Sequence, residues 1–358
     1  MDQISARSRV FVSLPFAFIL WAVTTFDVCA GPNPSNETDS FTQKLLFTRF
    51  DTNENGRFED NEKRMLRGTF GGIDVPMLPD EPFEYTHVDL PPHIKASQLL
   101  KLDNTPDDNP MTNQGAALGR VLFYDEQLSR NGTISCASCH DQRAGFSDPR
   151  RFSVGFKGGF TKRNAMGLAN IRYSNLNGRR PGFFWDERAP SLEAQALMPI
   201  QDKVEMGMEL KELEEKLQGL PYYPPLFEEA FGSRKITSDR VSKALAQFMR
   251  SMVSLDSKFD QSTSEAAKEG DSSDDLANFT EEENFGRSLF MDGIRGIAEL
   301  GCARCHVPPT FNMDKAQNIG LELEYTDQGL GLLDRPSNDP FNPSNDGKFK
   351  ASSLSSEE

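Results

Sequence analysis

The chain has 358 residues, of which 37% are hydrophobic and 26% charged, and this is the make-up of an ordinary soluble protein. Its length allows two or three domains with buried cores. The formal net charge of −15 argues against nucleic acid as a partner. It fits a basic protein partner, although solubility alone explains the charge equally well.

The first 30 residues have the features of a secretory signal. Arg7 and Arg9 precede an apolar run over 10–26, and the small residue Ala30 suits cleavage directly after it. An uncleaved membrane anchor is the alternative interpretation. No other segment is apolar and long enough to cross a membrane, so we predict an exported chain without membrane contact once the signal is removed.

Two Cys-x-x-Cys-His motifs carry the strongest chemical signal in the sequence. Four exported cysteines could form two disulfides, and a Cys-x-x-Cys pair alone fits a redox dithiol or half of a zinc site. The adjacent histidine decides between these, because two thiols at this spacing bond the vinyl groups of a haem while the imidazole ligates its iron. We therefore predict two covalently bound haem c groups, held by Cys136, Cys139 and His140 and by Cys302, Cys305 and His306.

A stretch near the N-terminus, residues 51–62, matches the EF-hand calcium loop. Gly56 permits its sharp turn, and amphipathic patterns on both sides predict the two short flanking helices. The predicted ligands are the side chains of Asp51, Asn53, Asn55, Glu59 and Glu62 and the carbonyl of Arg57. A polar turn between helices is the competing interpretation. Because EF-hands usually pair and we find no second loop, we expect weak calcium affinity, on the order of 0.1–1 mM.

Six further motifs surround or follow the first Cys-x-x-Cys-His: Leu118–Ser129, Gly145–Asp148, Arg163–Ala165, Phe184–Arg188, Leu192–Ala196 and Glu205–Gly207. In combination they resemble bacterial di-haem cytochrome c peroxidases, a family that includes the MauG-type enzymes. The resemblance implies a mainly α-helical, periplasmic protein with two cytochrome-c-like domains. It also implies reduction of hydrogen peroxide to water with electrons that a small redox protein, a cytochrome c or a cupredoxin, delivers through the second haem. Whether the chain forms a homodimer stays open.

The resemblance also assigns roles to single residues. Glu205 and Gln195 match the family's acid and amide on the open face of the first haem, where peroxide loses a proton. Trp185 matches a tryptophan between the haems, and Asn170 matches a ligand of a calcium ion held between the domains. Without the resemblance, Glu205 would be a solvated acid at a helix start, Trp185 a core residue and Asn170 a loop residue.

The chain departs from the family pattern in two places. Members that need reductive activation carry a distal histidine near 153–158, where this chain has Phe156 and where no histidine occurs between His140 and His306. We therefore predict a first haem that meets peroxide without prior reduction. The segment that supplies the second haem's distal ligand is not found either, so we expect a truncated sequence, with a differently capped or open second haem as the alternative.

The predicted architecture is mainly α-helical, with clear helical patterns at 210–217 and 236–252. Its predicted parts are a signal peptide (1–30), an EF-hand-like motif (41–70), a Pro-rich linker (71–98), a peroxidatic haem domain (99–259), an acidic linker (260–280) and an incomplete electron-transfer haem domain (281–358). Two other functions stay open at this point: a MauG-like oxidase that modifies a protein substrate, and a non-catalytic di-haem electron carrier.

Overall fold

The computed structural model describes residues 79, 82–174, 182–269, 275–293, 301–312, 316–318, 320, 322, 324–333, 345–351 and 354. We call the described residues within 82–269 the first module and those within 275–354 the second module. The predicted signal peptide and the predicted EF-hand loop lie outside the described residues, so both stay predictions.

The described part of the chain is mainly helical, as predicted. Its helices are α1 (Ala96–Leu102), α2 (Asn113–Tyr124), α3 (Leu192–Gln201), α4 (Leu210–Gly219), α5 (Tyr223–Phe231), α6 (Ser238–Arg250), α7 (Lys258–Glu269) and α8 (Glu281–Asp292). Two short strands, β1 (Gln317–Asn318) and β2 (Lys348–Phe349), pair antiparallel in the second module. None of the helices described is long and apolar enough to cross a membrane.

Helices α2 and α6 cross at the centre of the first module. The side-chain hydroxyls of Thr112 and Thr237 cap the two N-termini by accepting from backbone N–H groups of the first turn. The apolar stripe of α6 is buried against α2, as the 3.6-residue period of its sequence predicts. The helices approach closely because Gly119 lies beneath the carbonyl of Ala244, where no side chain would fit.

We expect Gly119→Ala to lower the free energy of unfolding by about 1–3 kcal/mol, because the added methyl group has to push α2 and α6 apart. Urea denaturation followed by circular dichroism measures the change. Gly219→Ala is the matched control, since no atom lies within 4 Å of the position of its Cβ. Equal midpoints for the two variants would contradict the close crossing.

Helix α7 occupies part of the segment that we predicted as an acidic linker (260–280). Its Ser- and Asp-rich composition is typical of disorder, but several of these polar side chains are buried and bonded. Asp260 accepts from the N–H and hydroxyl of Ser257 at 3.0 and 2.6 Å, and Ser264 lies 2.8 Å from Nδ1 of His93. The polar residues stabilise the start of a helix here. Whether the segment links two domains stays a prediction.

Candidate active site

The first Cys-x-x-Cys-His motif forms a tight turn. Cys136–Ser138 is a single 3₁₀ turn, and the N–H of His140 donates to the carbonyl of Cys136 at 2.9 Å. Ser135 and Ser138 cap this turn, with the N–H of Ser135 donating to Oγ of Ser138 at 3.0 Å. The turn places Cys136, Cys139 and His140 on the wall of one cavity.

A backbone carbonyl orients the imidazole of His140. Nδ1 of His140 donates to the carbonyl oxygen of Phe146 at 2.8 Å, and Phe146 has a left-handed φ of 58°. Because Nδ1 carries the proton, Nε2 keeps the lone pair that a metal needs. Burial lowers the pKa of His140, which favours the neutral, ligating form.

The cavity beside these residues measures about 920 Å³, at the upper end of the roughly 300–1,000 Å³ usual for small-molecule and cofactor sites. Burial raises the pKa of Cys136 to about 12 and also raises that of Cys139, so both remain thiols at neutral pH. The described residues contain no group of three or more His, Cys, Asp or Glu side chains that could hold a metal ion. Thiols on the wall of a large cavity, beside an imidazole that a backbone carbonyl orients, fit covalent haem better than zinc.

Helix α3 supplies the wall that carries Gln195. Ser191 caps the helix by accepting from the N–H of Ala194 at 3.1 Å. Gln195 and Pro199 lie one turn apart and both line the cavity. Oε1 of Gln195 is buried and accepts no hydrogen bond from the residues described, so it can interact with a molecule in the cavity.

Glu205 lines the same cavity from the loop between α3 and α4. Its position differs from that of a solvated acid at a helix start, because α4 begins only at Leu210. Burial raises the pKa of Glu205 to about 7; the charge of Asp202 adds to this rise and that of Arg188 opposes it. The carboxyl group can therefore hold or release a proton near neutral pH.

Two contacts that the sequence did not reveal position the Glu205 loop. Oδ1 of Asp202 accepts from the N–H groups of Val204 and Glu205 at 2.7 and 3.1 Å. From the other side, the N–H of Phe156 donates to the carbonyl of Glu205 at 2.9 Å, and its buried ring packs on Gly207. Phe156 thus supports the loop and does not line the cavity.

Trp185 lies where the two modules meet. Its indole N–H donates to the carbonyl of Asn164 at 2.8 Å, and its own carbonyl accepts from the N–H of Lys350 at 2.8 Å. Beside it, Arg163 pairs with Asp186 of the first module and Asp327 of the second, each at 2.6 Å. These bonds explain two of the sequence motifs, Arg163–Ala165 and Phe184–Arg188, as parts of one junction.

Asn170 is fully buried and has a left-handed φ of 59°. Its side chain donates to the carbonyl of Ser254 at 2.8 Å and accepts from the N–H of Ser254 at 2.9 Å. These bonds match the interpretation as a loop residue. Calcium ligation by Asn170 stays a prediction.

The second Cys-x-x-Cys-His motif repeats the local geometry of the first. Cys302–Arg304 forms a 3₁₀ turn, and the N–H of His306 donates to the carbonyl of Cys302 at 2.9 Å. Nδ1 of His306 lies 3.3 Å from the carbonyl of Phe311, whose φ of 50° is left-handed like that of Phe146. In both motifs a phenylalanine five or six residues after the histidine supplies the orienting carbonyl, a spacing that we did not predict from the sequence.

Comparison of the sequence with known proteins also indicates a di-haem protein. The family model of di-haem cytochrome c peroxidase matches residues 113–268. The methylamine utilization protein MauG of Methylorubrum extorquens is 37% identical, over 65% of this chain and 60% of that protein. The cytochrome c551 peroxidase of Nitrosomonas europaea is 32% identical, over 62% of this chain and 58% of that protein.

The fold has a counterpart among solved structures as well. A crystal structure of a MauG-like protein associated with microbial copper homeostasis aligns with a TM-score of 0.56 and 28% identity, over 75% of each chain. The chain spans about three fifths to two thirds of the length of the curated relatives that it matches. These matches and the two haem-binding turns establish that the chain belongs to the di-haem cytochrome c peroxidase family.

Proposed function

We propose that the chain is a periplasmic peroxidase that reduces hydrogen peroxide to water with electrons from a small redox protein, a cytochrome c or a cupredoxin. The observation that carries this proposal is the cavity beside His140, in which Glu205 and Gln195 face the same space as Cys136 and Cys139. An electron carrier whose iron is ligated on both faces has no use for an acid and an amide in such a cavity.

In this proposal Cys136, Cys139 and His140 hold the first haem c, and Cys302, Cys305 and His306 hold the second. When bound, the haem supplies an iron that accepts electrons and takes part in breaking the O–O bond. The chain's own residues bind peroxide and move its protons. Two electrons and two protons convert one peroxide into two molecules of water.

Glu205 has the properties of a proton shuttle in this reaction. With a pKa raised to about 7, its carboxylate can accept a proton from one peroxide oxygen, and the resulting acid can return it to the departing oxygen. Gln195 orients peroxide, because its amide N–H can donate to one oxygen while its buried Oε1 accepts from an O–H group.

Trp185 supports electron entry from the second module in this proposal. It lines the cavity on one side and is hydrogen-bonded through its backbone to Lys350 on the other. The ion pairs of Arg163 with Asp186 and Asp327 hold the two modules together at this point. A fixed aromatic ring at the junction suits electron transfer better than a mobile one.

The second candidate is a MauG-like oxidase that modifies a protein substrate, which the 37% identity to a MauG protein favours. Anaerobic mixing of the haem-loaded chain with hydrogen peroxide and reduced cytochrome c separates the two. A peroxidase oxidises two equivalents of cytochrome c per peroxide over many turnovers. Donor oxidation no faster than with free haem would overturn the proposal.

We expect the ferric, haem-loaded chain to show a high-spin component and to bind cyanide rapidly. The reason is that no histidine occurs between His140 and His306, while Phe156 is packed in the core. Electronic absorption and electron paramagnetic resonance spectra measure the spin state. The double variant Cys136→Ser/Cys139→Ser should lose the high-spin component, which assigns it to the first module. A fully low-spin spectrum of the unmodified chain would count against an open first haem.

A further inference from the structure

Two adjacent tyrosines are buried in the first module and have no part in the reaction proposed above. Tyr222 and Tyr223 are 3% and 0% exposed, and Tyr223 begins α5. Pro224 and Pro225 fix the first turn of this helix, where a missing N–H group leaves no helical hydrogen bond unmade. Cys136, which we assign to the first haem, packs against the apolar core that contains both tyrosines. The two phenols are therefore held in fixed positions near the place of haem attachment.

Both phenols donate to the same carboxylate oxygen. The hydroxyls of Tyr222 and Tyr223 lie 3.0 and 2.6 Å from Oδ2 of Asp125, and their ring centroids are 4.6 Å apart. Asp125 directly follows α2, and its Oδ1 accepts from the N–H of Gln127 at 2.8 Å. Burial raises the pKa of Tyr223 well above its ordinary value of 10.0, and the charge of Asp125 adds to this rise. A phenol that keeps its proton thus lies directly against a carboxylate.

This arrangement suits the loss of one electron from the phenol. An oxidised phenol is strongly acidic, so the electron leaves readily only where a base takes up the proton at the same time. The carboxylate of Asp125 lies within hydrogen-bond distance for this transfer. On another side the ring of Tyr223 meets Phe227, with the centroids 6.2 Å apart, and phenylalanine is far harder to oxidise than tyrosine. An oxidising equivalent that reaches the two tyrosines should therefore stay on them.

Tyr124 lacks such a base, although it also lies near the first haem-binding turn. The centroid of its ring is 5.3 Å from that of Phe123, which in turn is 6.4 Å from the ring of His140. The hydroxyl of Tyr124 donates to the side-chain amide oxygen of Gln142 at 3.3 Å. An amide does not take up a proton at neutral pH, so this tyrosine is the less suitable electron source of the two.

We propose that Tyr223, with Tyr222 beside it, is a redox site that stores one oxidising equivalent after the first haem has reacted with peroxide. The inference rests on the proposed function. One electron passes from the phenol of Tyr223 to the oxidised haem, the O–H bond breaks, and the proton moves to Oδ2 of Asp125. The products are a neutral tyrosyl radical, a protonated carboxyl group and a haem with one oxidising equivalent fewer. One electron from the redox donor and the same proton later restore the phenol.

The site has a use because electrons leave and return in different numbers. Peroxide removes two electrons at once, whereas a donor such as cytochrome c returns them one at a time. While the donor is scarce, the radical keeps the second oxidising equivalent in the apolar core and away from the side chains that line the cavity.

Freeze-quench electron paramagnetic resonance tests the site after the haem-loaded chain is mixed with hydrogen peroxide without a donor. We expect an organic radical whose spectrum narrows when the chain is produced with ring-deuterated tyrosine. The radical yield per haem should fall at least ten-fold in Tyr223→Phe and in Asp125→Asn, which keeps the shape of the proton acceptor but not its basicity. Tyr124→Phe is the matched control and should leave the yield unchanged. Circular dichroism and haem absorption confirm that the variants fold and bind haem.

A second arm generates an oxidant without peroxide, by flash photolysis of ruthenium tris-bipyridine with an electron-accepting quencher. A radical that depends on Tyr223 in this arm but is absent with peroxide would support the redox site and overturn the proposed peroxidase function. Absence of a radical that depends on Tyr223 in both arms overturns the redox site, whether or not peroxide oxidises reduced cytochrome c. An equal radical yield in Asp125→Asn and the unmodified chain overturns it as well.

Discussion

Replacing Glu205 with glutamine should reduce the rate of peroxide turnover by about two to four orders of magnitude, the range that proton transfer by a positioned side chain contributes. The substitution keeps the shape of the side chain but removes its ability to accept a proton. Steady-state oxidation of reduced cytochrome c by hydrogen peroxide measures the loss. Haem content and thermal stability should not fall, because burial already opposes ionisation of this carboxyl group.

Glu209→Gln is the matched control for this prediction, because Glu209 is an exposed acid of the same loop. It should leave turnover unchanged. Retention of turnover within ten-fold in Glu205→Gln would rule out Glu205 as the proton acceptor.

The pH dependence follows from the same carboxyl group. Its pKa is raised to about 7, so the proton-accepting form increases as the pH rises through 7. The rate of the peroxide reaction should rise over this interval in the unmodified chain, and the inflection should be absent in Glu205→Gln. The free energy of unfolding should change in the opposite direction. Because the pKa of Glu205 is higher in the folded chain than its ordinary value of 4.5, this carboxyl group makes the fold less stable as the pH rises from 4.5 through 7.

The sequence predicted the helices that can be recognised from the pattern of apolar residues within one short stretch. Helices α4 and α6 lie within one or two residues of their periodic patterns, because each has one apolar stripe and polar residues elsewhere. The composition of the predicted acidic linker is typical of disorder, but its first part is helical in α7. Its helical state depends on buried bonds of Asp260 and Ser264, and one of these reaches His93 far away in the chain.

The sequence likewise predicted only part of the candidate site. Spacing alone identified the two Cys-x-x-Cys-His turns, and the family resemblance led to Gln195, Trp185 and Glu205, all of which line one cavity. What the sequence could not reveal is the support of these residues by backbone groups. The carbonyl of Phe146 orients His140, and no residue type encodes a carbonyl direction.

The buried ion pair between Arg250 and Glu193 provides the largest expected effect on stability. Arg250 is 1% exposed and holds Glu193 with two hydrogen bonds of 2.6 and 3.2 Å. Its Nε donates to Asn104 at 2.9 Å, and Asn109 donates to the same carboxylate at 2.8 Å. The pair ties α6 to α3, on which Glu193 precedes Gln195 by less than one turn. It therefore also fixes the helix that carries the amide of the candidate site.

We expect Arg250→Leu to lower the free energy of unfolding by about 3–5 kcal/mol, because it leaves the carboxylate of Glu193 buried without its cation. Urea denaturation of the haem-loaded chain measures the loss. The control is Arg234→Leu, which breaks the exposed pair with Glu228 and should cost about 0–1 kcal/mol. The double variant Arg250→Leu/Glu193→Leu should recover most of the loss, because no charge then remains buried.

Lowering the pH tests independently whether the unpaired carboxylate of Glu193 causes the loss of stability in Arg250→Leu. Burial alone would raise the pKa of Glu193, but the hydrogen bonds and charge of Arg250 hold it below its ordinary value of 4.5. The stability that the pair contributes is therefore fully present above pH 4.5 and is lost as the pH falls through the lowered folded pKa. In Arg250→Leu the carboxyl group is neutral in acid, so the difference between this variant and the unmodified chain should shrink as the pH is lowered. A difference that stays constant down to about pH 3 would mean that lost packing, and not the unpaired charge, causes the destabilisation.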